Sequence, residues 1–338
     1  MVTIADVAAY AGVGAGTVSR VLNDSPRVSD ETRARVREAI DTLHYHPSPL
    51  ARGLSRGRCQ TLGVVVPFFT HASAVERLRG VVAEVDASHY DLVLFNVESP
   101  VHRDDHFRSL TRRDRADGLL VVSLPPPDLE LKRLLAADVP VVLVDAVGKG
   151  VPAVITDDVE GGRLATRHLV ELGHTRIAFI GDDPHNHFGF TSSTKRERGY
   201  GEVLAAAGIK PRRSFVRYGA HDRTVARGLA ARLLALRPPP TAVFASSDVQ
   251  AFGVLEAARA AGLTVPGDLS VVGFDDIEVS SYAGLTTVRQ PLFESGRLGA
   301  RVLLDALAGE SRPAPVRHPL PLELIVRTTT APPRGRDG

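Results

Sequence analysis

Pairs of adjacent aspartates stand at Asp157-Asp158, Asp182-Asp183 and Asp275-Asp276. Two carboxylates can divide acid and base work, but neighbours along a strand point to opposite faces, which is poor geometry for it. Histidines cluster with acids at His102, Asp104, Asp105 and His106, and again at His185 and His187. A zinc site needs three or four ligands converging on one point, and neither group has a clear further ligand, so these read as solvated surface histidines and no metal is expected. The single cysteine, Cys59, excludes a disulfide within the chain and a cysteine metal cluster. No phosphate-binding loop occurs in the sequence. The run Gly12-Val13-Gly14-Ala15-Gly16-Thr17 loosely matches a dinucleotide-binding turn. That turn follows a strand, whereas the residues before this one have helical spacing. The chemistry on offer is therefore recognition, without catalysis or a cofactor.

Helical spacing starts at the N-terminus. Thr3 can cap a helix whose residues Ile4, Val7, Ala8 and Ala11 share one face, and Gly12 breaks it. A second helix is predicted over about 14–22, with Val18, Val21 and Leu22 turned inward. Beyond a loop at Asn23-Asp24-Ser25-Pro26, Ser29 caps a third, with Asp30 and Glu31 favouring its dipole. Its apolar stripe is Val36, Ala39, Ile40 and Leu43. Three helices with a glycine turn between the first two predict a helix-turn-helix, whose second helix would offer Ala15, Gly16, Thr17, Ser19 and Arg20 to the major groove of DNA. Residues 1–58 hold eight arginines against six acids, and the rest of the chain is balanced, giving a net charge of +2. The head thus carries a mild basic bias.

Pro47-Ser48-Pro49-Leu50-Ala51-Arg52-Gly53-Leu54 separates this head from a larger body. It is either a plain linker or a helix too short to persist alone, capped by Ser48 with Pro49 at its first position. Paired with a second copy on DNA, such a helix would place Leu54 as a wedge in a base step. The body alternates strand-like runs (Thr61–Val66, Asp91–Phe95, Gly118–Val122, Val139–Val144, Arg176–Ile180, Phe215–Arg217, Ala242–Ala245, Leu269–Val272, Leu322–Val326) with helical patterns. Such alternation predicts parallel sheets covered on both faces. An internal echo runs through it. Leu119–Ser123 leads through a helix to Val141–Asp145, and Ala242–Ser246 leads through a helix to Val271–Asp275. Each is strand, helix, strand, acid, which predicts two similar lobes with a ligand between their strand ends. A hydrophobic content of 43% and a charged content of 24% fit a soluble globular protein. No signal peptide is expected at the N-terminus, and runs such as Val64-Val65-Val66 are too short for a bilayer. The expectation is a cytoplasmic protein with no membrane partner.

Thr3–Ala8, Ala11-Gly12-Val13, Thr17–Asn23, Arg27-Val28-Ser29 and Leu50–Leu54 together resemble the head and hinge of LacI/GalR-type bacterial transcription regulators. Further landmarks are Gly161–Thr166, Leu172-Gly173-His174, Val272–Asp276 and Leu285–Pro291, so the likeness covers nearly the whole chain. It implies an N-terminal all-α helix-turn-helix head with a hinge helix, joined to an α/β two-lobe core similar to periplasmic binding proteins. The implied boundaries are 1–46 for the head and 47–59 for the hinge and linker. The core is 60–330, with lobe one at 60–157 and 290–318, lobe two at 158–289 and 319–330, and a disordered tail at 331–338. The resemblance implies DNA contacts by Thr3, Ala15, Gly16, Thr17, Ser19, Arg20, Asn23, Ser48, Ala51 and Leu54. Ala15 and Gly16 are nearly bare at positions that set base choice in the family, so Arg20, which suits guanine, is expected to carry much of the readout. Gly14 stands where the family usually has serine, which removes a helix cap and a phosphate contact.

By the same resemblance the effector site comprises Phe68, His71, Phe188, Phe190, Ser192, Arg196, Ser247 and Asp275. Phe68 ends a strand and could stack on a sugar ring or a base, or simply pack in the core. The Arg196 guanidinium could grip vicinal hydroxyls or a carboxylate, or be a surface arginine. The function implied is a homodimeric, sequence-specific repressor of palindromic operator DNA. Its effector would be a sugar or sugar derivative held between the lobes, with a nucleobase or nucleoside as the alternative. A solute-binding transport component would share the body but needs an export signal, and a cytoplasmic sugar-active enzyme needs a reacting constellation.

Overall fold

The computed structural model describes residues 2–22, 24–45, 59–112, 115–309 and 313–334. Asn23, Ser48, Ala51 and Leu54, and with them the hinge prediction, lie outside the described residues. The head is three helices, α1 (Ile4–Tyr10), α2 (Ala15–Leu22) and α3 (Asp30–Thr42). Thr3 starts α1 with a reciprocal cap: its side chain accepts from the Asp6 N–H, and the Asp6 carboxylate accepts the Thr3 N–H at 2.7 Å. Ser29 caps α3, its side chain accepting from the Thr32 N–H at 3.4 Å. The three helices bury Val7, Val18, Val21, Val36 and Ala39, with Tyr45 closing the cluster. Without such a core, helices of seven and eight residues would not persist.

The core opens with β1 (Thr61–Pro67), α4 (Ala72–Val85), β2 (Asp91–Val97), α5 (Pro100–Ser109), β3 (Gly118–Val122), α6 (Asp128–Ala136), β4 (Val141–Val144) and β5 (Ala153–Ile155). A second alternation follows: α7 (Asp158–Glu171), β6 (Ile177–Asp182), α8 (Ser192–Ala206), β7 (Val216–Gly219), α9 (Arg223–Leu234) and β8 (Ala242–Ala245). It continues with α10 (Asp248–Ala260), β9 (Ser270–Asp275), α11 (Glu278–Tyr282) and β10 (Thr286–Arg289). The chain then returns to the first lobe with α12 (Leu292–Ala308) and β11 (Arg317–Pro319), and crosses back for β12 (Glu323–Ile325).

Among the described residues the strands form two six-stranded sheets, ordered β11-β5-β4-β3-β1-β2 and β12-β10-β9-β8-β6-β7. All pairings are parallel except β10 with β12. Strands β3, β4, β8 and β9 are buried along their whole length, because helices cover both faces, so they read as continuous apolar runs. In each lobe two helices cross backbone to backbone at glycine. A Cβ on Gly296 of α12 would strike the Arg77 carbonyl of α4, and a Cβ on Gly162 of α7 would strike the Arg196 carbonyl of α8.

Strands absent from the sequence-based prediction are β5, β10 and β11. The predicted strand at Phe215–Arg217 begins one residue later, after a 3-10 turn. The tail needs a correction. Its first residues are docked: Ala331 exchanges hydrogen bonds with Ser270, its carbonyl lies 2.9 Å from the buried His174 ring, and Arg334 pairs with Asp268 at 2.7 Å. A Pro/Gly/Arg-rich composition predicts disorder, but polar partners on the second lobe capture this backbone. Among the described residues no helix is long and apolar enough to cross a membrane.

Candidate functional site

On α2, Ala15, Gly16 and Arg20 are exposed, Thr17 and Ser19 are half-buried, and Val18 and Val21 face the core. Gly16 faces open space, since a Cβ there would meet nothing within 4 Å. This face can lie close against a nucleic-acid backbone, with Arg20 as its long donor. Gly14 offers only its carbonyl to the start of α2, accepting the Thr17 N–H at 2.8 Å. The Thr3 hydroxyl is already engaged with the Asp6 carboxylate at 2.7 Å, so its first role is the cap.

Between the lobes, at the C-terminal ends of both sheets, lies a cavity of about 400 Å³. Binding clefts sit there because parallel strands all end on one edge. Four lining residues just after or at strand ends have left-handed backbones: Phe68 (φ 45°), Ser123 (φ 51°), Asp145 (φ 56°) and Asp275 (φ 117°). Each non-glycine residue held so costs about 1–3 kcal/mol, and such strain collects at functional sites.

Of the residues assigned to the effector, Phe68, His71, Phe190, Ser192, Arg196 and Asp275 line the cavity. Two do not. Phe188 stands behind it, edge-on to Phe68 at 5.4 Å and stacked on Phe190 at 5.2 Å, so it backs the aromatic wall. Ser247 is fully buried as the N-cap of α10, accepting the Gln250 N–H at 3.2 Å; a hydroxyl at that position is a cap rather than a ligand contact. Its neighbour Ser246 contributes its carbonyl to Arg196 at 2.6 Å.

Arg196 is only 6% exposed. It pairs with Asp158 at 2.8 Å, and its guanidinium lies 3.6 Å above the Phe274 ring. Burial works against its charge, but Asp158, Asp275 and Asp145 together raise it further above the ordinary arginine range. Burial pushes Asp275 up, with Arg196 opposing.

Sequence reasoning gave no binding role to several lining residues. Arg77 of α4 is 3% exposed and donates to Asp145 at 2.9 Å and to Gln290 at 3.3 Å. His221 follows β7 and contacts Asp182 at 3.2 Å. Burial works against its charge, yet the Asp182 hydrogen bond and charge raise it above the usual histidine range. Burial, with the His221 charge beside it, lowers His71. The two imidazoles stack at 5.5 Å across the cleft, and Phe68 stacks on His71 at 5.2 Å. Asp145 was visible as the first acid of the echo. Gln290 was visible only as a family landmark, and Arg77 had no signal beyond its type.

The lining carboxylates are Asp145, Asp182, Asp183 and Asp275, against two arginines that are each already paired with an acid. The cavity therefore suits hydroxyl donors better than an added anion. Among the described residues no group of three or more His, Cys, Asp or Glu side chains could hold a metal ion. His106 instead lies 3.1 Å from the Asn96 carbonyl.

Residues 3–48 match the family described as bacterial regulatory proteins, lacI family, and residues 166–330 match the periplasmic binding protein-like domain. The chain is 33% identical to catabolite control protein A of Priestia megaterium over 319 residues, covering 92% of this chain and 94% of that one. It is similar to a solved complex of the transcriptional regulator CelR with cellobiose, at 34% identity and a TM-score of 0.72, over 97% of this chain and all of that one. It is also similar to the Lac repressor dimer bound to operator and the anti-inducer ONPF, at 28% identity and a TM-score of 0.82, over 98% and 99% of the two chains.

Proposed function

The chain belongs to the lacI family of bacterial regulatory proteins, and from that premise we propose that it is a homodimeric repressor controlled by a neutral sugar bound between its lobes. It is a DNA-binding transcriptional regulator; the sugar, the dimer and the allosteric coupling are our reading. The observation that carries the sugar is the pairing of both cleft arginines with acids, at 2.9 Å for Arg77 and 2.8 Å for Arg196. The charge of each guanidinium is already balanced by an acid, whereas the carboxylates can accept hydrogen bonds from hydroxyls. Phe68 and Phe190 give apolar faces for a sugar ring. The cellobiose in the related CelR complex points the same way.

For DNA, α2 would lie in the major groove with Arg20 reading guanine, and Leu54 would wedge the minor groove at the centre of a palindromic site, the protein acting in the cytoplasm. Both lobes expose apolar side chains that a second copy would cover: Val75, Val82 and Phe293 on the first, Val279 and Tyr282 on the second. The sugar favours one angle between the lobes, which changes the spacing of the two heads.

The test is a thermal-shift series on the full chain with cellobiose, glucose and ribose, the corresponding sugar phosphates, and purine bases. A ligand that binds only the folded state raises the melting temperature with concentration. The reading predicts a rise with a neutral sugar. Rises confined to phosphates or to bases would overturn it.

A further inference from the structure

Asp145 and Asp275 end corresponding strands of the two lobes, and both line the cavity. They are joined through protein as well as through the space between them. Asp145 Oδ2 accepts from Arg77 Nη2 at 2.9 Å and from the Ser123 hydroxyl at 2.9 Å. The same Nη2 donates to Gln290 Oε1 at 3.3 Å. Gln290 Nε2 in turn donates to Asp275 Oδ1 at 2.6 Å. Thr156 also donates to Gln290 Oε1, at 3.2 Å. Thr156 and Gln290 sit on two of the three segments that cross between lobes, so the relay runs through the hinge itself.

We propose that Arg77 is a positioning residue for effector recognition: through Gln290 it holds the Asp145 and Asp275 carboxylates in one fixed relation, so that a single neutral ligand is gripped by both lobes. The proposal rests on the sugar reading above and names the device that makes the site selective.

Three features carry it. Each acid uses one oxygen in the relay, Oδ2 of Asp145 and Oδ1 of Asp275, and keeps the other as an acceptor for a ligand hydroxyl. Arg77 is placed rigidly, because its backbone abuts Gly296 where α4 and α12 cross. Stability alone does not account for it. A buried ion pair is weak evidence of stabilisation, and the buried Arg77 Nε has no hydrogen-bond partner among the described residues, an unpaired donor that an apolar side chain would not leave. Arg77 also balances the charge of Asp145. Without it, the first lobe would present an unneutralised carboxylate to the ligand and would favour a cationic one.

The test uses the full chain with Arg77→Met, Arg77→Lys, Gln290→Met and the Arg77→Met/Gln290→Met pair. Calorimetric titration with glucose and with glucosamine, matched except for one ammonium group, reads selectivity. The expected result is a rise of tenfold or more in the glucosamine-to-glucose affinity ratio for Arg77→Met, with Arg77→Lys returning most of the way to the wild-type ratio. An unchanged ratio in Arg77→Met would overturn the positioning role, since a merely structural arginine would weaken both sugars alike. A ligand-free cycle decides the relay independently. If the relay is one unit, the double variant lowers the unfolding midpoint by clearly less than the two single shifts combined, and additive shifts overturn it. Should Arg77→Met fail to fold, Arg77→Lys with Gln290→Met carries the same cycle. If the wild type binds no sugar in the thermal series, the sugar reading falls while the cycle still judges the relay.

Discussion

The two lobes present the cleft with matching parts that are satisfied to different degrees. Each has a glycine-mediated helix crossing, a buried arginine on one of the crossing helices, and an acid at a strand end. In the second lobe Arg196 is held on every side, by Asp158, the Ser246 carbonyl and the Phe274 ring. In the first, Arg77 holds Asp145 and Gln290 through Nη2 and leaves Nε unpaired. The difference teaches that the second lobe's arginine is satisfied within its own lobe, whereas the first lobe's arginine is tied through Gln290 to the acid of the other lobe.

The largest expected effect follows from that contrast. Arg196→Ala leaves Asp158 buried without its cation, and breaking a buried pair by removing one partner costs about 3–5 kcal/mol. Chemical denaturation should show this loss, with Arg77→Met losing less. Equal losses would erase the distinction between the lobes.

The next effect is in pH. The raised value of His221 contributes stability that is full below about pH 6.5 and is lost as pH rises through its folded value. The lowered value of His71 acts the other way: stability falls as pH drops below about 6.5 and through its folded value. At the acid end of this range a second positive charge forms on His71, 5.5 Å from His221, and the like charges oppose the contact across the cleft. Sugar affinity should weaken in acid. His71→Phe should flatten that profile; an unaltered acid limb in titrations of the variant would remove His71 from the closure contact.

The smallest effect separates a cap from a ligand contact. Ser247→Ala should cost about 1 kcal/mol in stability through the lost helix cap, with sugar affinity unchanged. A tenfold loss of sugar affinity at unchanged stability would return Ser247 to the binding wall.

Where the hydrophobic pattern was strong, the sequence was readable. The long apolar strands β1, β3 and β6 and the echo ending in Asp145 and Asp275 stand out because burial on both faces demands unbroken Val, Leu and Ile. Strands β5 and β11 have three residues each, and β10 is half polar, so no period could form. Ser247 was read as a ligand contact because Ser suits both that and a cap, and only the start of α10 reveals the cap. Arg77 was missed for a different reason. On a helix an arginine reads as solvated, and its burial here is set by α12, more than two hundred residues away in the chain. The tail was misread because its partners, His174, Ser270 and Asp268, lie elsewhere in the second lobe.

The most direct test of the whole account is operator affinity measured by fluorescence anisotropy on the full chain, with and without the neutral sugar that raises its melting temperature. Coupling between sites of this kind is typically about 5–150-fold, and it is reciprocal. The account predicts a change in operator Kd within that range, with the same factor appearing in the sugar's Kd when operator is present. An operator Kd that does not move while the cleft is saturated would contradict it.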